Sequence, residues 1–206
     1  MAIETYLDAL QAYADEAFHT ELLAARVEYF AGLGRISENE ASFEAHLDRF
    51  LDWFLFERML PQSGLTPIQS FLEMRSEKLL PEEREVFVGF GRNVHSLFLV
   101  KKFDKHGVHV RDLLTKAKYY VRDELPSVFT KGQVFEARLL PYREGWHFSK
   151  GYIFHPLSVA KQIVKRVKDL AVDDTEGYRS LIRDLAIRRL KADRYKHMDA
   201  MEFYRF

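Results

Sequence analysis

The chain has 206 residues, 47% of them apolar and 14% aromatic, with 31 basic and 31 acidic side chains and no cysteine. This composition excludes whole-chain disorder, a membrane-spanning helix, disulfides, thiolate nucleophiles and cysteine-held zinc or iron–sulfur centres, and predicts a soluble, cytoplasmic globular protein. The neutral sum hides a division, because residues 1–85 carry 7 Lys/Arg against 17 Asp/Glu while residues 86–206 carry 24 against 14.

From Ile3 to about Leu33 apolar residues recur at helical spacing, with Ile3, Leu7, Leu10, Ala14 and Phe18 on one stripe and Leu22, Leu23, Val27 and Phe30 continuing it. One long helix or two short ones fit. Gly32 and Gly34 stop the pattern, and Ser37 with Glu40 reads as a capping box for a helix carrying Phe43, Leu47, Phe50, Leu51 and Phe54. Its stretch 50–56 is apolar nearly all round, which predicts the buried centre of the acidic half. Thr66, Pro67 and Gln69 signal a further helix start, and Pro81 with Glu82 and Glu83 another.

After Gly91 the period shortens to about two. Five strands are predicted at Val94–Phe103, Val108–Leu113, Lys118–Asp123, Gln133–Leu140 and Trp146–Phe154, separated by short turns. Five short strands in this span predict a small SH3-like or OB-like β-barrel. Helical period returns over 157–171, with Ala160, Ile163, Val164, Val167 and Ala171 inward, and again over 178–198. The fold class is therefore α+β: an acidic helical domain (1–90), a five-stranded barrel (92–155) and basic C-terminal helices (156–206).

The run 50–56, followed by Leu60-Pro61 and Gly64-Leu65-Thr66-Pro67-Ile68, resembles the helical region of bacterial SEC-C-associated proteins of unknown function. Residues 110–115 and 131–141 are similar to the β-rich module that accompanies it. The resemblance covers roughly residues 43–155 and implies helices followed by a small barrel, with an interaction role. The cysteine-rich zinc element of those proteins has no counterpart in a chain without cysteine.

Chemistry is sparsely signposted. His95, His106, His109, His147 and His155 fall in or beside the predicted strands, but no HExxH, phosphate loop or nucleophile elbow accompanies them. The acid pairs Asp123-Glu124 and Asp173-Asp174 read as solvated turns. No catalytic, cofactor or metal residue is assigned, and no small-molecule ligand is expected.

The stronger signal is cations beside rings. Lys101, Lys102, Lys118 and Arg122 interleave with Phe98, Phe103, Tyr119 and Tyr120 on the barrel, a pattern that small barrels use to hold single strands and that ordinary strand alternation also produces. Lys161, Lys165 and Lys168 form a stripe on the first C-terminal helix, and Arg188 and Arg189 add to the second. The tail ends with Phe203, Tyr204 and Phe206, rings that either pack back or meet a partner.

The leading expectation is a non-enzymatic regulatory or adaptor protein that binds a macromolecule, an acidic protein surface or a second copy, through the barrel and these helices. Binding of single-stranded RNA or DNA by the same face is the alternative, if its cations converge with a ring between them. A hydrolase or metal enzyme requires the barrel histidines to converge on an acid.

Overall fold

The computed structural model describes residues 2–34, 36–37, 40, 42–122, 128–171 and 173–206. The amphipathic start forms one helix, α1 (Ile3–Leu33), whose first half buries Ile3, Leu7, Leu10 and Ala14 as their spacing predicts. At Phe18 the backbone leaves helical geometry (φ −135°, ψ 33°). Beyond this kink Ala25 and Leu33 are buried, whereas Leu23 and Val27, expected inside, are 51% and 72% exposed. The kink shifts the phase of the helical repeat, which a continuous stripe in the sequence does not show.

Ser37 and Glu40 make only a local turn, the Ser37 N–H donating to Glu40 Oε1 at 2.8 Å, and α2 (Phe43–Phe56) begins later than the capping signal predicts. The Thr66–Gln69 capping box forms and opens α3 (Pro67–Arg75), and Pro81 opens α4 (Pro81–Phe90). Tyr6, Phe50, Phe54, Phe71 and Phe87 fill the core among these four helices, which extends onto Leu140 and Tyr142 of the barrel.

The strands are β1 (Val94–Asp104), β2 (Gly107–Asp112), β3 (Lys118–Arg122), β4 (Val134–Tyr142), β5 (Gly145–Phe148) and β6 (Ile153–Phe154). They pair in the order β1-β2-β3-β5-β4, and β4 returns to β1, which closes a five-stranded barrel. Only β3–β5 is parallel, and β6 extends the edge of β4. The parallel closure distinguishes an OB-like order from an all-antiparallel SH3-like one. β1 serves two partners: residues 94–99 pair with β4, residues 98–104 pair with β2, and a bulge at Lys101 shifts the register within the β1–β2 pairing. Phe98, Val110, Val121, Phe135 and Leu139 fill the interior, with Phe129 packed among them. The pair Asp123-Glu124 lies outside the described residues.

A 3-10 turn (Leu157–Val159) leads into α5 (Ala160–Lys168), followed by α6 (Thr175–Arg194) and α7 (Ala200–Phe203). Ile163, Val167, Leu181 and Leu185 pack on Leu97 and Val134, outer-face residues of β1 and β4. Ala171, expected inside, is exposed past the end of α5. The other side of α6 meets α1 through Ala186 and Leu33, and Arg194 donates to both oxygens of Glu40 at 2.9 Å. Helices from both ends of the chain therefore clothe one barrel. The tail packs back: Tyr204 is buried, with its hydroxyl 2.9 Å from His155 Nδ1.

Candidate functional site

Strand alternation divides Tyr119 from Tyr120. Tyr119 turns toward the barrel interior beside Trp146, whereas Tyr120 lies outside and is 37% exposed. Cross-strand pairing then sets the outer face. Lys102, His109 and Tyr120 form one row across β1, β2 and β3, Arg111 and Lys118 form the next, and Arg122 stands opposite Gly107.

Gly107 is required here. A Cβ at that position would lie 2.3 Å from the Val121 carbonyl oxygen and 3.0 Å from the Tyr120 ring. The bare backbone lets Tyr120 lie across it, 4.7 Å from the His109 ring between centroids, while its hydroxyl donates to Asp104 Oδ1 at 3.1 Å. Asp104 is the acid of this patch. Arg122 sits between the β1–β2 and β4–β5 turns, with its Nε 3.5 Å from where a Gly145 side chain would begin.

The barrel face continues onto α5. Lys161, Lys165 and Lys168 are exposed and border, with Leu99 and Val164, a groove of about 390 Å³. Burial, then the positive fields of Arg111 and Lys168, hold the Lys116 ammonium below its ordinary range, so cations of the barrel and of α5 share one electrostatic neighbourhood. Lys101, Lys102, Lys118, Arg122, Lys161, Lys165 and Lys168 form no ion pair among the described residues.

Arg188 and Arg189 lie elsewhere and are engaged within the chain. Arg188 donates to Asp184 and to the carbonyls of Phe203 and Arg205 and stacks on Phe206, and Arg189 donates to Asp193 and the Phe154 carbonyl. Arg188 thus fixes the C-terminal segment, and Arg189 ties α6 to β6. The two arginines lie on α6, away from the outer face of β1, β2 and β3 and from α5.

The histidines are scattered. His106 is in a turn, His109 is on the basic face, His147 meets Tyr142 edge to face, and His155 is buried under Tyr204. No group of three His, Cys, Asp or Glu able to hold a metal ion exists among the described residues. No described helix is long and apolar enough to cross a membrane.

A second feature has no counterpart in the sequence reading. On the outer face of β1 and β4, opposite α2, lies a buried charged network. Arg49 Nε donates to Glu136 Oε1, His95 Nε2 donates to the same oxygen at 2.8 Å, His95 Nδ1 donates to Glu57 Oε1 at 2.8 Å, and Arg138 donates to Glu57. Arg49 also donates to the Tyr29 hydroxyl at 2.6 Å, and Ser149 donates to Asp52.

Burial alone would raise Glu136, but Arg49 and His95 override it and hold it at about 2. Burial and Arg138 oppose charge on His95, yet its two carboxylates raise its pKa, so the ring is held protonated. Asp52 differs. Burial dominates there and pushes it up to about 6, against Arg138 and Ser149. A cleft of about 510 Å³ opens over this network between α1, α2, α6 and the barrel.

Residues 19–189 match the model of a family described as a family of unknown function (DUF7986), and the chain belongs to that family. No match to the chain was found among curated proteins or among solved structures.

Proposed function

We propose that this member of the DUF7986 family is a macromolecule-binding protein that holds an extended single-stranded nucleic acid across the outer face of β1, β2 and β3 and along α5. One observation carries the reading. Lys102, Lys118, Arg111 and Arg122 surround the paired rings of Tyr120 and His109 on the strand 2–3 face, which is where OB-like barrels hold oligonucleotides. Cations take the phosphates, and an exposed ring offers a stacking surface to any base. The ring pair favours a nucleic acid over an acidic protein, whose carboxylates need the cations alone.

The test is fluorescence anisotropy of labelled mixed-sequence single strands, RNA and DNA separately, at roughly 50 and 200 mM salt. If five phosphates are neutralised, affinity falls about 100-fold between these salts, because the slope for single strands is about −0.7 per contact. Lys102→Glu with Lys118→Glu abolishes binding, and Tyr120→Ala weakens it at both salts without changing the slope. No binding at the lower salt sinks the proposal and moves the reading to an acidic protein partner or self-association.

A further inference from the structure

The cleft over the buried network lies on the β1–β4 side of the barrel and is lined by none of the residues that form the basic face. We propose that this cleft binds a small molecule with the chemistry of a mononucleotide: a planar base against Trp53, its polar edge toward Asp52 and Glu57, and its anionic group at Arg179.

Four observations converge on that chemistry. The volume of about 510 Å³ lies within the range of pockets that enclose a small organic ligand. At neutral pH the floor cannot act as a sink for a simple ion, because Arg49, His95 and Arg138 are balanced by Glu136, Glu57 and Asp52. Unused hydrogen-bonding positions nevertheless remain. Asp52 is buried and accepts from Ser149 through Oδ2 only, Glu57 is bonded through Oε1, and Arg49 spends Nε and Nη1. Acceptors and a donor side by side suit the mixed edge of a heterocycle better than a uniformly charged group.

The wall supplies the plate. Trp53 is half-buried in the cleft lining, its ring centroid 5.5 Å from that of Tyr29. The mouth supplies the charge. Arg183 is paired with Glu176, Glu28 with Arg58 and Asp184 with Arg188, while exposed Arg179 has no ion-pair partner among the described residues. A phosphate or carboxylate entering last meets that guanidinium.

The chain has two tryptophans, so Trp146→Phe leaves Trp53 as the sole indole reporter. Its fluorescence is titrated with the four common ribonucleoside monophosphates, and separately with the nucleosides and with inorganic phosphate. Calorimetric titration of the unaltered chain gives the same affinities should that variant fold poorly. The expected result is saturable quenching by at least one monophosphate, at least about tenfold weaker for its nucleoside and absent with phosphate alone.

Arg179→Glu weakens binding about tenfold or more, and Asp52→Asn changes which base is preferred. The Lys102→Glu, Lys118→Glu variant keeps full mononucleotide binding while losing strand binding, which separates this site from the basic face. The inference is overturned by no saturable response up to about 5 mM, by phosphate binding as well as the nucleotides, by indifference to both Arg179→Glu and Asp52→Asn, or by loss in the lysine variant.

Discussion

Arg49 of α2 and Glu136 of β4, 87 positions apart in the chain, meet in a charge-assisted hydrogen bond that joins the N-terminal helices to the outer wall of the barrel. Both side chains are almost wholly buried. Desolvating two charges is costly, and their attraction, with the added bonds from His95 and to Tyr29, offsets that cost.

Removing one partner therefore exposes the full penalty of the other. Arg49→Met is expected to destabilise the fold by about 3–5 kcal/mol, because Glu136 is left buried without its guanidinium. Adding Glu136→Gln recovers a large part of that loss. Urea unfolding of both variants and of the double variant checks this, and simple additivity of the two single losses would contradict it.

Asp52 gives the interface an unusual pH dependence. Its folded pKa of about 6 lies above the ordinary value of 3.8, so the fold binds this proton more tightly than the unfolded chain does. The associated stability is fully present below the unfolded value and is lost as pH rises through about 6. Two units correspond to about 3 kcal/mol. Between pH 4 and 7.5, Asp52→Asn should thus gain up to about 3 kcal/mol relative to the unaltered chain. A difference between the two proteins that stays constant with pH would count against the buried acid.

Glu136 has the opposite sign: its folded pKa of about 2 contributes stability above the unfolded value near 4.5, lost as pH falls through the folded one. Acid unfolding should therefore begin below pH 4.5, and Glu136→Gln should flatten that limb when circular dichroism is followed from pH 5 to 2.

Gly151 packs against α2 at the point where Asp52 meets Ser149. A Cβ there would lie 2.9 Å from Arg49 Cα and 3.0 Å from Asp52 Oδ2, and the first of these atoms belongs to a helix backbone that cannot yield. Gly151→Ala should cost about 1–3 kcal/mol by overpacking. Chemical denaturation measures this, and a neutral effect would mean that the 149–151 segment can move away from the helix freely.

Tyr204 anchors the tail in the core between the barrel and α5. Tyr204→Phe should cost about 1–3 kcal/mol, since His155 Nδ1 loses its partner in a site where its other ring nitrogen already has none. Tyr204→Ala should cost about 3–5 kcal/mol from the lost ring. Thermal unfolding distinguishes the two: equal losses would show that the ring adds little beyond its hydroxyl, and an unchanged Tyr204→Phe would show that the hydroxyl contributes little.

Helical and strand periodicities are local, each written within a few residues, so the kind and order of the elements are legible along the chain. The capping box at Thr66 and the alternation that sends Tyr119 in and Tyr120 out follow from spacing within single strands and turns, whereas Lys102 meets Lys118 and Arg122 on one face because β2 lies paired between β1 and β3. Other features depend on segments far apart in the chain. The OB-like closure depends on β1 serving two partners and on a parallel β3–β5 pair, relations between segments that no local pattern encodes. The phase shift at Phe18 exposed residues that a continuous stripe would bury. Arg188 and Arg189 read like free cations until carbonyls of the returning tail engage the first and the Phe154 carbonyl of β6 engages the second. Arg49, Asp52, Glu57, His95, Glu136 and Arg138 look like ordinary polar residues of helix and strand, and they become one buried network because the fold brings α2 onto the outside of β1 and β4. Direction is set locally, but desolvation and pairing are set by what arrives from elsewhere in the chain, and these give a charged side chain its role.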